Sequence, residues 1–330
     1  MKGSLPIMVD MSSSEPDRLE NFPVTFFAVM MGLLGLTLAL AAAERAAGST
    51  LPLSQAVLGA AVVVFLVLGF FYALKLRRHP EAVRSEWNHP VRVAFFPTIS
   101  ISLLLLGTAL APLYPGLAYA IWGVGAAAQA VLALSVIANW IGHRSFQAVH
   151  LSPAWFIPAV GNVIVPLAGV GFGAIELSWL FFSAGLMFWL VLLTLVMNRL
   201  IFHDPLPGRL MPTLVILIAP PAVAFVAWVR LTGDVDAFGR ILLNAGYVFA
   251  LVVLTQAPRF FRLPFALSWW ALTFPVAALA VASFVFAHET GSQYHRIIGF
   301  ALTTVLAFSV ATLIVRTAQA IRAKQICRPE

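Results

Sequence analysis

Read for the alternation of apolar and polar positions, the chain divides into ten apolar runs with short polar breaks between them. They cover residues 22–43, 53–76, 91–112, 117–141, 153–173, 177–201, 210–232, 237–257, 264–287 and 293–318. Each is close to the ~20 residues that carry an α-helix through the ~30 Å hydrocarbon core of a bilayer. Connections such as APLYPG (111–116) and GAIELS (173–178) are so short that consecutive helices must run antiparallel and pack as hairpins. The pattern predicts an all-α integral membrane protein of ten transmembrane helices in five helical hairpins, occupying residues 21–318. Residues 1–20 read as a polar tail of mixed charge rather than a signal peptide, because no short apolar core precedes a small-residue cleavage site. Residues 319–330 form a second tail.

Composition narrows the class. Of 330 residues, 61% are hydrophobic and 10% are charged, against about 25% charged in soluble domains, so the natural environment of this surface is a lipid bilayer. The net charge of +7 does not point to nucleic acid, since the basic residues lie between apolar runs and form no stripe with interleaved aromatics. Their value is in orientation. With ten crossings, only Arg45, Arg230, Arg240 and Arg296 fall on the side opposite the chain ends, and the other 16 of the 20 Lys and Arg fall with the termini. The positive-inside rule then places both termini in the cytoplasm. The one cysteine, Cys327, cannot build a disulfide framework or a cysteine metal cluster within one chain.

Prolines subdivide the ten runs. Pro23, Pro97, Pro158, Pro166, Pro212, Pro220, Pro221, Pro264 and Pro275 fall at the start or in the interior of the odd-numbered runs, and the even-numbered runs have none in their interiors. Proline lacks a donor and collides with the preceding turn, which frees a carbonyl that lipid cannot satisfy. Such helices should face protein or water. An aromatic precedes proline at 22–23, 95–97, 156–158 and 274–275, and the matched prolines 23, 97, 158, 220 and 275 recur at about one hairpin apart. A chain of similar hairpins, each with one kinked and one plain helix, can close into a ring with the kinked helices around an axial pore. The competing account is that prolines are simply commoner in membrane helices.

What could pass along that axis is limited by what the runs lack. No acidic or basic residue lies deep in any of them, which disfavours a proton-coupled pump. The deeper polar residues are neutral: Thr25, Thr98, Ser100, Ser102, Asn162, Thr273 and Ser283 on odd runs, Asn139, Asn198 and Asn244 on even ones. They could hydrate an ion or bond within and between helices. Small residues gather on odd runs as well, at Gly32, Gly35, Gly161, Gly169, Gly171, Ala271, Ala277 and Ala278. At helical spacing from Phe274, the ninth run presents Trp270, Ala271, Ala277, Ala278 and Val281. Phe274 would be the one ring on a small-walled face, either a constriction or core packing.

Other chemistry finds little support. HETGSQYH (288–295) lacks the spacing that puts two imidazoles on one helical face, so no metal site is expected there. Neither a phosphate-binding loop nor an intramembrane Ser–His or paired-Asp constellation occurs, so no enzyme and no cofactor are expected. Glu81 and Glu86, with Arg77, Arg78 and Arg84 in the second connection, read as solvated ion pairs.

The stretches NFPVTFFAVMMGLLGL (21–36), YALKLRRHPEAVRSEWNHPVRVAFFP (72–97), SPAWFIPAVGNVIVPLAG (152–169) and LSWWALTFP (267–275) together resemble the tellurite-resistance/dicarboxylate transporter family. Bacterial TehA, the yeast malate permeases and the slow-type anion channels of plant guard cells are members. The resemblance implies quasi-fivefold symmetry of the five hairpins around a central pore, a homotrimer with one pore per subunit, and a bacterial inner-membrane location. It also implies passage of inorganic or small organic anions and a gating phenylalanine, which falls here on Phe274. Pro23, Pro97, Pro158, Pro220, Pro275, Phe26, Phe96, Gly32, Gly161, Asn162, Ala271 and Ala278 are the matching candidates for kinks and pore lining. Two activities remain open, a passive anion channel and a proton-coupled carrier for C4-dicarboxylates or tellurite.

Overall fold

A segment with no water beside it must satisfy its backbone internally, and every regular element among the described residues is a helix. The computed structural model describes residues 17–142, 146–260 and 262–327; residues 1–16 of the N-terminal tail, with Lys2, and the charges Arg144 and Arg328 lie outside the described residues. In chain order the helices are α1 (Val24–Ala47), α2 (Leu53–Arg78), α3 (Pro80–Asn88), α4 (Arg92–Leu110), α5 (Pro115–Gly142) and α6 (Pro153–Gly169), followed by α7 (Ile175–Phe202), α8 (Gly208–Thr232), α9 (Ala237–Leu254), α10 (Leu267–Thr290) and α11 (Gln293–Arg322). Among the described residues nine of them, all except α3 and α6, are long and apolar enough to cross a bilayer.

The exception among the ten apolar runs is α6, where one continuous helix over 153–173 was expected. Instead the segment is four short pieces, 3₁₀ turns at Pro153–Trp155 and Gly161–Ile164 alternating with α turns at Phe156–Val160 and Pro166–Gly169. Three prolines, at 153, 158 and 166, remove a donor from almost every turn, so no single ladder can run through it.

The hairpins pack as expected, α1 with α2, α4 with α5, α6 with α7, α8 with α9 and α10 with α11. The first member of each also touches its counterparts in the neighbouring hairpins. Contacts run from α1 to α4, α4 to α6, α6 to α8, α8 to α10, and from α10 back to α1, which closes a ring. Burial follows this division: 67–83% of the apolar stretch of α1, α4, α8 and α10 is buried, against 22–33% for α2, α5, α7, α9 and α11. In α6 every residue except Leu167 is buried. Outer helices turn large apolar side chains such as Phe70, Leu134, Leu180 and Phe308 outward, as a lipid-facing surface requires.

Each inner helix begins tightly wound. Val24–Phe26, Arg92–Phe95, Gly208–Ile218 and Leu267–Leu272 are 3₁₀ before the chain relaxes to α. Pro97 is the first residue of its α segment, Pro220 the second and Pro275 the third, while Pro23 immediately precedes the first 3₁₀ turn. Pro220 and Pro275 thus stand inside their helices, where the winding changes from 3₁₀ to α. They stand in the first α turn, a position that tolerates proline, and the irregularity is the 3₁₀ segment before them. Hydroxyls just beyond or within it bond back to its carbonyls: Thr98 donates to Phe95 O (2.5 Å), Thr213 to Leu210 O (2.6 Å) and Thr273 to Trp270 O (2.7 Å). These hydroxyls serve their own backbone. At the far end from the termini, α1, α8 and α10 stop at left-handed Gly48, Gly233 and Gly291.

A second correction concerns the connection after α2. Arg84 and Glu81 form the expected exposed pair at 3.7 Å. Glu86 is not solvated. It is 3% exposed and lies 3.0 Å from Lys75 Nζ, which is buried beside it. Lys75 also donates to Phe22 O at 2.8 Å, while the Tyr72 hydroxyl and the Val24 N–H donate to the two Glu86 oxygens at 3.0 and 3.2 Å. The α2–α3 hairpin thus grips the chain on both sides of Pro23, the one residue there without an N–H of its own. Cys327 packs into this end too, where burial pushes its thiol pKa up and the charges of Arg18 and Lys75 act in the opposite sense.

Candidate functional site

At the centre of the inner ring is a cavity of about 30 Å³, on the order of one water molecule's share of the liquid. All five inner segments wall it: Gly35 and Leu38 from α1, Leu105 from α4, Leu167 from α6, Val223 and Val226 from α8, and Phe274, Ala277, Ala278 and Val281 from α10. Leu167 is the one residue of α6 that is not buried, because it faces this space. None of the ten lining side chains is polar. A space so small and apolar holds no ordered water, since water there would lack hydrogen-bond partners.

Phe274 is the largest group in the wall and 7% exposed. The backbone of α1 comes close beneath it because Gly35 has no side chain. A methyl group there would lie 2.9 Å from Ala277 Cβ and 3.6 Å from Phe274 Cδ2. One turn earlier, a methyl at Gly32 would fall 2.4 Å from Thr273 Oγ1. The two glycines therefore set the separation of α1 and α10, and with it the space left to the ring.

The remaining candidates distribute differently. Ala278 lines the cavity, whereas Ala271 lies in the 3₁₀ opening of α10, half-buried and away from it. Phe26 stacks on Phe22 with centroids 4.7 Å apart, and Phe96 meets Trp87 edge-on at 4.9 Å, both toward the termini. Gly161 and Asn162 face outward from the axis, against Gln129 of α5. A methyl at Gly161 would be 2.5 Å from Gln129 Nε2.

Gln129 was missed by sequence reasoning, which singled out Asn139 on the same helix. It is fully buried. Its amide donates to Pro158 O at 2.9 Å and to Asn162 Oδ1 at 3.4 Å, and its carbonyl accepts from the Ser100 hydroxyl at 2.7 Å. One side chain from the outer ring therefore satisfies the broken backbone of α6 and ties it to α4. Trp122, two turns earlier on α5, donates to Val165 O at 3.0 Å, beside the Gly169 N–H. The available signal was the face on which Gln129 sits, since Gly125, Ala126 and Ala133 are its helical neighbours and all are buried. Gln129→Leu should cost about 1–3 kcal/mol by leaving the Pro158 carbonyl without a donor. A thermal melt of the purified protein checks this; an unchanged midpoint would mean that the carbonyl finds another donor.

Comparison with known proteins identifies the family. The model of the SLAC1 family, described as voltage-dependent anion channel, matches residues 21–318. The chain is 30% identical over 308 residues to the S-type anion channel SLAH3 of Arabidopsis thaliana, covering 91% of this chain and 48% of that protein. It thus spans about half the length of that plant relative. The similarity to an uncharacterized transporter, MJ0576, of Methanocaldococcus jannaschii is 27% over 94% of this chain and 96% of the relative. A tellurite resistance protein TehA homolog of Haemophilus influenzae is 27% identical over 86% of this chain and 87% of its own length. With the family model matched over nearly the whole ring of helices, the chain belongs to the SLAC1 family.

Proposed function

We propose that this chain is a passive channel for small anions, held closed in this conformation by the Phe274 ring. The observation that carries the proposal is the cavity itself, to which every inner segment contributes and in which no side chain is polar or titratable. An ion in so narrow and apolar a space would have to give up its hydration, at a Born cost of order tens of kcal/mol in a low-dielectric medium. A hydrophobic constriction therefore closes a pore without a charged latch. Relatives named as anion channels support the choice of ion, and the absence of an ionisable lining residue argues against proton coupling.

The same reading takes α6 as a tenth crossing, gives the five hairpins quasi-fivefold symmetry, and puts both termini in the cytoplasm of a bacterial inner membrane. Three copies would assemble through the apolar outer helices, each with its own pore. Small inorganic anions are the proposed cargo, and C4-dicarboxylates or tellurite would be carried only by the rival, proton-coupled mechanism. Reversal potentials in a planar bilayer separate the two. With the pore open, the reversal potential should follow the anion gradient and stay unmoved by a pH gradient of two units imposed across the bilayer. A shift with pH would establish coupling.

A further inference from the structure

The cavity-lining faces of α1, α8 and α10 do not end at the cavity. Seven residues along an α-helix is close to two turns, about 10 Å of rise with only about 20° of drift. The residues seven positions beyond Leu38, Val223 and Val281 are Arg45, Arg230 and His288. All three lie in the regular α portion of their helices and are exposed at the far end of the ring. Although α1 and α8 are not neighbours in the ring, the guanidinium groups of Arg45 and Arg230 are near enough to repel one another. Their fields therefore meet across the mouth.

Neither arginine forms an ion pair within 4.0 Å among the described residues, although Glu44 is near enough to Arg45 to attract it. Of the acids at this end, Glu44, Asp234 and Asp236 are held by other donors, while Glu289, next to His288, is exposed. Glu44 accepts from the Ser54 N–H (2.8 Å) and hydroxyl at the start of α2. Asp234 accepts from the Val235 N–H at 2.7 Å. Asp236 caps α9, and the Gly239 N–H, with the Trp228 indole, holds its carboxyl below the usual range. A basic residue in a last turn does offset the helix dipole. That role suits each arginine singly; it does not require the two to stand near each other on the faces that line the cavity, without an ion pair among the described residues.

We infer that Arg45 and Arg230, with His288 beside them, form an anion-collecting site at the far mouth, where a small monovalent anion such as chloride is held between guanidinium groups before it reaches the apolar constriction. The use of the site in conduction rests on the channel reading above; its existence does not. Guanidinium groups are weakly hydrated forks of donors suited to anions. Clustered charge at a mouth raises the local concentration of counter-ions by an amount that salt suppresses.

Two measurements test the inference, and the first needs no current. In purified Cys327→Ser protein carrying Arg45→Cys, a sulfonate-bearing methanethiosulfonate should react faster than a trimethylammonium-bearing one at about 20 mM salt, where screening is weak. Arg230→Gln should lower that rate ratio by about threefold or more, as should about 1 M salt, whereas Arg296→Gln on the outer α11 should leave it alone. A ratio indifferent to Arg230 overturns the site. In the second, bilayers containing Phe274→Ala protein should lose about fivefold of their low-salt chloride flux from the far side when Arg45→Gln and Arg230→Gln are added, keep it with Arg45→Lys and Arg230→Lys, and show little difference at about 1 M salt. An unchanged low-salt flux overturns the site while leaving the channel reading intact. Should Phe274→Ala itself carry no current, the channel reading fails, and the reagent ratio still decides the site.

Discussion

Phe274→Ala should raise the anion conductance of the reconstituted protein by more than about tenfold, since about 1.4 kcal/mol off the barrier is enough for that factor. The ring is the bulkiest member of a wall otherwise made of Gly, Ala, Val and Leu, and its loss would join the cavity to the space on either side. Water would then fill the gap, so the destabilisation should fall short of the about 3–5 kcal/mol typical of emptying a packed aromatic site. Phe225 supplies the comparison. It lies on α8, is fully buried and is absent from the cavity wall. Phe225→Ala should melt early and stay closed, whereas Phe274→Ala should conduct and melt near the parent. Phe274→Leu should fall between parent and alanine, because a smaller apolar group narrows the path without filling it. If Phe274→Ala conducts no better than the parent yet loses as much stability as Phe225→Ala, the ring is core packing.

Much of this site could be read before any coordinates. Odd and even runs differ in proline, and they differ in burial in the same way, because a helix with irregular backbone must hide it from lipid. Helical spacing grouped Ala277, Ala278 and Val281 with Phe274, and all four line the cavity, whereas Trp270 and Ala271 of the same face do not; the choice of Phe274 as a gate came from the resemblance. Other parts depended on contacts that no local pattern encodes. The 3₁₀ openings arise from sequence of ordinary helical appearance, and a proline reads alike in a kink or in a first turn. Gln129 satisfies carbonyls 29 residues away in sequence. Among the hydroxyls thought able to hydrate an ion, those of Thr98 and Thr273 bond back to carbonyls of the 3₁₀ turns instead.

Glu86 is the plainest case, because its spacing from Arg77, Arg78 and Arg84 suggested a solvated face and its partners come from two other helices. Lys75 and Glu86 are 1% and 3% exposed, so removing either should strand a buried charge, at about 3–5 kcal/mol. Lys75→Met leaves the carboxylate with the Tyr72 hydroxyl and the Val24 N–H but without a cation. Glu86→Leu leaves the ammonium with the Phe22 carbonyl alone among these partners. Both variants should melt well below the parent in detergent. The combined Lys75→Met, Glu86→Gln protein should melt above Lys75→Met alone, since no net charge is buried and a glutamine oxygen can still accept from Val24. Arg84→Ala, which breaks the exposed pair with Glu81, should change stability by less than about 1 kcal/mol. Equal, small losses in all of these variants would return Glu86 to the solvated face that its spacing suggests. A large loss confined to Lys75 and Glu86 would mean that the inner ring is anchored at Pro23, where α1 begins its course toward Gly35 and the Phe274 ring.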